Sequence, residues 1–277
     1  MLPMLSMTTD YARSDGCPEP ELRGIAEAGF TYVHWCHHWC TDFVYHPSEV
    51  EQVGRWLRDL GLGVTDLHGS AGEEKCWTSF YEHERRAGVE LVANRIEMAA
   101  ALGSDVVIMH AGGEPDDAAG RTLFWRQLRR SLDALEPVAR RAGVRLAIEN
   151  GDFRVIERLF ENYGADYLGL CYDAGHGNLH AGDVERFDRL RDRLISIHLH
   201  DNHGVSDQHL VPFAGTVDWP RVMGLIARSS YGKWVNLECS LRHSPVTDPA
   251  AFLAGAFGAA VRLAEMLECE RGGGGRR

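Results

Sequence analysis

Between residues 2 and 238 the chain alternates, eight times over, a short apolar run with a longer segment whose apolar residues recur every three to four positions. The runs are LPMLSM (2–7), TYVHW (31–35), GVTDLH (63–68), DVVIMH (105–110), VRLAIE (144–149), YLGLCY (167–172), LISIHL (194–199) and KWVNLE (233–238). Short bounded runs of this kind read as strands, and segments such as EVEQVGRWLRDLG and LFWRQLRRSLDALEPVARRAG read as amphipathic helices. Four helical segments end in glycine just before the next strand (AEAGF, DLGLG, ALGSD, RRAGV), where a left-handed residue closes a helix. Eight strands alternating with helices in 277 residues predict a (β/α)8 TIM barrel, an α/β fold in a single domain, over an open doubly wound sheet. The barrel is expected to span residues 1–270, with RGGGGRR (271–277) as a flexible tail.

Composition narrows the function classes. Hydrophobic residues make up 44% and charged residues 25%, with no apolar run near the roughly twenty residues of a membrane helix. No membrane partner is expected. The first residues show neither a basic flank nor a small-residue cleavage site, so a cytoplasmic location is the default expectation. Seven cysteines without a CxxC pair fit reduced thiols better than a disulfide scaffold. The net charge of −11, with only two lysines, Lys75 and Lys233, disfavours nucleic acid as a partner. Neither GxGxxG after the first strand nor GxxxxGK[ST] occurs, which removes the usual nucleotide-binding folds. A homo-oligomer is compatible with everything read so far.

A barrel of this kind carries its active site at the carboxyl ends of the strands. There the chain places His68, His110, Glu149, Asp173 followed by His176, His198 and Glu238, with Asp207 and His209 in the loop after the seventh strand. Burying so many acids and imidazoles at one end without a cation costs several kcal/mol per unpaired charge, by the usual order of magnitude. Glu149, Asp173, His198 and Glu238 form an oxygen-rich set suited to Mn²⁺, Mg²⁺, Co²⁺ or Zn²⁺. His68, His110, His176, Asp207 and His209 are candidates for further metal or substrate contacts.

The pieces AIEN, CYDAGHGNLHAGD, ISIHLHDNHG, DQHLVPFAGTVDW and VNLECS resemble the xylose-isomerase-like barrel superfamily of sugar and sugar-phosphate isomerases and epimerases. The same superfamily contains zinc endonucleases that act at abasic DNA sites. The resemblance implies one divalent ion, manganese first among the choices, on Glu149, Asp173, His198 and Glu238. It also implies Glu149 and Glu238 as the catalytic acid–base pair, passing a proton through a metal-stabilised enediolate of a carbohydrate substrate. All nine candidate ligands have counterparts in the endonucleases, so one to three ions per chain are expected and phosphodiester hydrolysis stays open. Acidic charge and the loop LVPFAGTVDW favour the sugar chemistry. A metal-dependent lyase or hydratase acting on a keto-sugar or polyol is the remaining alternative, because it too passes through an enolate.

Substrate signals are thin. Arg121, Arg154 and Arg242 are scattered candidates for a phosphate, so a neutral sugar fits better. Trp35, Trp39, Trp77, Phe153 and Trp219 could stack on a sugar or equally pack loops over the barrel. In HWCHHWC (34–40), alternation turns His34 inward and Trp35 outward. The spacing matches no standard zinc pairing, so His34, His37 and His38, with Trp35 beside them, are expected to line the mouth of the pocket and meet substrate hydroxyls.

Overall fold

A computed structural model describes residues 3–12 and 16–273; the first residue of the 2–7 run and the tail beyond 273 lie outside the described residues. Eight parallel strands follow one another around a closed sheet: β1 (Leu5–Thr8), β2 (Tyr32–Trp35), β3 (Gly63–His68), β4 (Val106–Met109), β5 (Arg145–Glu149), β6 (Leu168–Asp173), β7 (Leu194–His198) and β8 (Val235–Leu237). Each lies within one of the eight runs or within a residue of it. Closure comes from β1 pairing with β8, and from Leu199 just after β7 pairing with Leu237. The expected TIM barrel is therefore the fold.

The helices are α1 (Glu19–Glu27), α2 (Pro47–Leu60), α3 (Glu82–Ala101), α4 (Ala118–Ala142), α5 (Phe153–Asn162), α6 (Ala174–Leu179), α7 (Asp183–Leu190), α8 (Trp219–Ala227) and α9 (Pro249–Gly273). Gly29, Gly61, Gly103 and Gly143, the four turn glycines, all have positive φ, between 67° and 102°. A side chain there would be strained, which is why the chain turns from helix to strand at these points.

Two expectations change. α9 carries Arg271 to Gly273 as its last residues, so the first part of the expected tail is helix end. The segment Pro249–Gly272, with mean hydropathy 1.5, is also long and apolar enough to cross a bilayer by length and composition. Its larger apolar residues, Phe252, Leu253, Phe257, Val261, Leu263, Met266 and Leu267, are spaced out by Ala and Gly and so do not stand out as a run. Here Phe252, Leu253, Ala256, Ala260, Leu263 and Leu267 are buried within the main hydrophobic core.

The core has two layers. A large cluster fills the space between strands and helices, and a small one of Val106, Ile108, Ala147, Cys171 and Ile195 plugs one side of the barrel interior. The remaining interior is polar, and that polar part carries the site.

Candidate metal and acid–base site

Alternation along a strand turns every second side chain into the barrel, so polar residues two apart form stacked layers. In the lower layer Asp66 of β3 meets three partners across the interior. His34 Nδ1 of β2 lies 2.6 Å from Asp66 Oδ1, Asn236 Nδ2 of β8 donates to both oxygens at 3.3 and 3.2 Å, and Ser196 Oγ of β7 donates to Oδ2. Two positions further along β3, β7 and β8 come His68, His198 and Glu238. With Glu149 and Asp173 they make the upper layer.

Glu149 is the hub. Its Oε1 lies 3.1 Å from His198 Nδ1 and 3.7 Å from His176 Nδ1; its Oε2 lies 3.2 Å from His110 Nε2 and 3.5 Å from His68 Nε2. His198 Nδ1 also stands 3.3 Å from Glu238 Oε2. A second group forms beside the hub, where Asp207 stands 3.5 Å from His176 Nε2, 3.7 Å from His200 Nε2 and 3.0 Å from His209 Nε2. His200 Nε2 is also 3.0 Å from Asp173, whose carboxylate accepts the His176 N–H at 2.7 Å at the start of α6. All nine residues expected as ligands thus come together in one connected cluster.

The loop carrying Asp207 and His209 is held by Asp201, a fully buried carboxylate. It accepts the backbone N–H groups of Asn202, Phe213 and Val217 at 2.9, 2.9 and 3.1 Å and the indole N–H of Trp219 at 3.0 Å. Two residues of this loop, His209 (φ 50°) and Phe213 (φ 74°), sit in the left-handed region that side chains disfavour. His209 is fixed there by its Nδ1, which donates to Glu238 O at 2.7 Å.

The charges follow from this packing. Burial works to keep Glu149 protonated, but His110 and His198 outweigh it and hold its carboxyl well below the usual range. Burial likewise opposes the charge of Glu238, and His198 and His34 outweigh it. Burial disfavours a charged His176, yet Asp173, Asp207 and Glu149 push it up to about 11; His209 is pushed up to about 9 against burial, chiefly by Asp207. His110 moves down, chiefly because it is buried.

The donor set fits divalent ions. Glu149 Oε2 is fully buried and makes no hydrogen bond of acceptable geometry among the described residues, although two imidazole nitrogens face it. Those two nitrogens, on His68 and His110, are themselves 3.2 Å apart. Imidazole nitrogens and a carboxylate oxygen gathered at such separations are a donor set that a divalent cation can take up once the imidazoles are neutral.

A cavity of about 790 Å³ opens onto Glu238, with Asp10, Cys36, Trp39, His209 and Arg242 in its wall. Several expectations for this mouth are corrected. His34 and Trp35 are 0% and 1% exposed and cannot touch a substrate there. His34 is inward but a layer too deep, and Trp35 is outward with its indole N–H on Tyr45 OH at 3.2 Å. His37 is bound to Tyr45 OH at 2.8 Å and Gly16 O at 3.1 Å, and His38 stacks on Phe43, so neither is in the cavity wall. Trp77, Phe153 and Trp219 are buried packing residues. Trp39 takes the place assigned to Trp35: it lines the cavity and lies against His68, ring centroids 4.5 Å apart. Of the three arginines named as phosphate candidates, Arg242 lines the cavity, Arg154 pairs with Asp152, and Arg121 binds carbonyl oxygens of its own loop.

His200 and Asp201 were missed. The pattern HLHDN held the signal for the first, since residues 198 and 200 share a strand face.

The family model described as "Xylose isomerase-like TIM barrel" matches residues 22–256. The uncharacterized protein y4fM of Sinorhizobium fredii is 31% identical over 276 residues, covering 89% of this chain and 88% of that protein. Among solved structures, a D-tagatose 3-epimerase-like protein superposes with TM-score 0.78 at 18% identity, covering 98% of this chain and 99% of the other. An L-ribulose 3-epimerase superposes with TM-score 0.78 at 17% identity, covering 99% and 97%. Fold, ordered strand-end residues and the extent of these matches together place the chain in the xylose isomerase-like TIM-barrel family.

Proposed function

We propose that the protein is a divalent-metal-dependent carbohydrate isomerase or epimerase with Glu149 and Glu238 as its acid–base pair. The observation that carries this reading is the shared nitrogen: both carboxylates approach His198 Nδ1, at 3.1 and 3.3 Å, from different strands. Two carboxylates converging on one point from β5 and from the end of β8 can address opposite faces of a carbon held between them. A divalent ion on Glu149, Asp173, His198 and Glu238 would polarise a carbonyl and acidify the C–H beside it, with manganese preferred for this oxygen-rich set.

Glu149 and Glu238 are both held ionised by neighbouring imidazoles. One therefore accepts the substrate proton and later releases it to solvent, and the other takes a proton from solvent in the cavity and delivers it to the opposite face, inverting that carbon. Return of the proton to the adjacent carbon instead interconverts aldose and ketose. The cavity wall mixes polar groups (Asp10, Gln208, Glu238) with the Tyr11 and Trp39 rings, which suits the hydroxyls and C–H faces of a small neutral sugar, and the names of the two epimerase-type neighbours point the same way. A cytoplasmic enzyme handling a small carbohydrate is the whole of this reading. Assays of the manganese-loaded protein on ketoses, inososes and aldoses test it.

One observation favours a second reading. Nine ligand residues gather into one cluster, enough for up to three ions, as phosphodiester hydrolysis at abasic sites would use. An abasic-site oligonucleotide in the same assays decides: cleavage surpassing every sugar reaction replaces the proposal.

A further inference from the structure

The stretch HWCHHWC supplies a further set of convergent donors. His34 Nε2 stands 2.8 Å from Cys36 Sγ and 3.3 Å from Glu238 Oε1, and Cys36 Sγ stands 3.8 Å from that same oxygen. The circle through three atoms at these separations has a radius of about 2 Å. Zinc bonds to nitrogen, oxygen and sulfur run at about 2.0–2.3 Å, so one ion slightly off the plane reaches all three donors with little side-chain movement.

The other nitrogen of His34 strengthens the case. Nδ1 lies 2.6 Å from Asp66 Oδ1, and Asp66 is itself held by Ser196 and Asn236, all of them buried. A carboxylate fixed behind an imidazole, aiming its free nitrogen at a point, is the arrangement that supports a metal-ligating histidine. Glu238 serves both sides: Oε1 faces His34 and Cys36, and Oε2 faces His198. Cys36 lines the cavity, which leaves a fourth coordination position open to it.

We propose that His34, Cys36 and Glu238 form a zinc site, with Asp66 orienting His34, next to the carboxylate-rich site and sharing Glu238 with it. A sulfur ligand selects a thiophilic ion such as zinc over manganese or magnesium. On binding, the S–H bond of Cys36 breaks, a zinc–sulfur bond forms and the proton passes to solvent. The proposal does not depend on the carbohydrate reading, since it concerns which ion binds and through which atoms.

The test is a titration of the reduced, metal-free full chain with Co²⁺, followed by near-ultraviolet and visible absorption. A thiolate-to-cobalt charge-transfer band is expected at saturation, displaced by zinc and retained in Cys171→Ser. Cys36→Ser should lose that band while keeping its circular dichroism and its remaining cobalt sites. Absence of the band in the parent protein, or its persistence in Cys36→Ser, overturns the proposal. Should Cys36→Ser fail to fold, X-ray absorption of the zinc-saturated parent decides. A sulfur neighbour at about 2.3 Å is expected, and a shell of nitrogen and oxygen alone contradicts the site.

Discussion

Glu149 and Glu238, on strands three apart in the barrel order, meet at one atom, His198 Nδ1, at 3.1 and 3.3 Å. The glutamine variants keep volume and lose the proton-carrying charge. Glu149→Gln and Glu238→Gln are each expected to lower kcat by roughly 10²–10⁴-fold, the usual worth of a positioned acid or base. Steady-state kinetics on the best sugar substrate checks this, and a fully active variant removes that residue from the chemistry.

Chelation is expected to destabilise the fold, because the ligands come from β3 to β8 and an ion on them binds only the folded state. At a free ion concentration a hundred times Kd, binding contributes about 2.7 kcal/mol. For a chain of 277 residues that is a Tm difference of about 5 °C. Calorimetry of the metal-loaded and chelator-treated protein checks it; coincident melting curves would show that no ion is held.

Metal binding is expected to release protons. With its ordinary value raised to about 11 for His176 and to about 9 for His209, each is charged at pH 7 in the metal-free protein. An imidazole must be neutral to act as a ligand, so affinity rises with pH, most steeply below about 9. Zinc titrations by calorimetry in buffers of different ionisation enthalpy count the protons, and identical heats in all buffers contradict the prediction.

Asp201→Asn tests the loop anchor. The amide replaces one acceptor oxygen by a donor facing N–H groups, leaving buried donors unsatisfied among the four that Asp201 now serves. A loss of about 3 kcal/mol in unfolding free energy is expected. Denaturant unfolding measures it, and a change under about 0.5 kcal/mol, the range of an ordinary surface substitution, would mean the loop is held by other contacts.

The strand-end residues were legible because the barrel turns sequence into position. An acid or imidazole at the end of a strand run lies at the carboxyl end of the barrel whatever the rest of the chain does, and that made Glu149, Asp173, His198 and Glu238 candidates. Depth was harder to read. His34 alternates inward as expected, but the register of β2 against β3 shifts at Val33/His34 and seats the ring beside Asp66, below the cavity. The polar layer of Asp66, Ser196 and Asn236 was hidden because each is an ordinary polar residue within its strand run. Loop residues were the least legible: Trp39 at the cavity and Asp201 beneath the loop depend on irregular backbone that no periodicity describes.

Proton transfer between Glu149, Glu238 and a carbohydrate carbon is the chemistry proposed for this site. Its most direct measurement is NMR of ketoses and inososes incubated in D₂O with the metal-loaded protein. Deuterium should enter one sugar at the carbon beside its carbonyl, with inversion or carbonyl migration, and each glutamine variant should suppress that exchange. No exchange into any carbohydrate, alongside cleavage of an abasic-site oligonucleotide, would contradict the account.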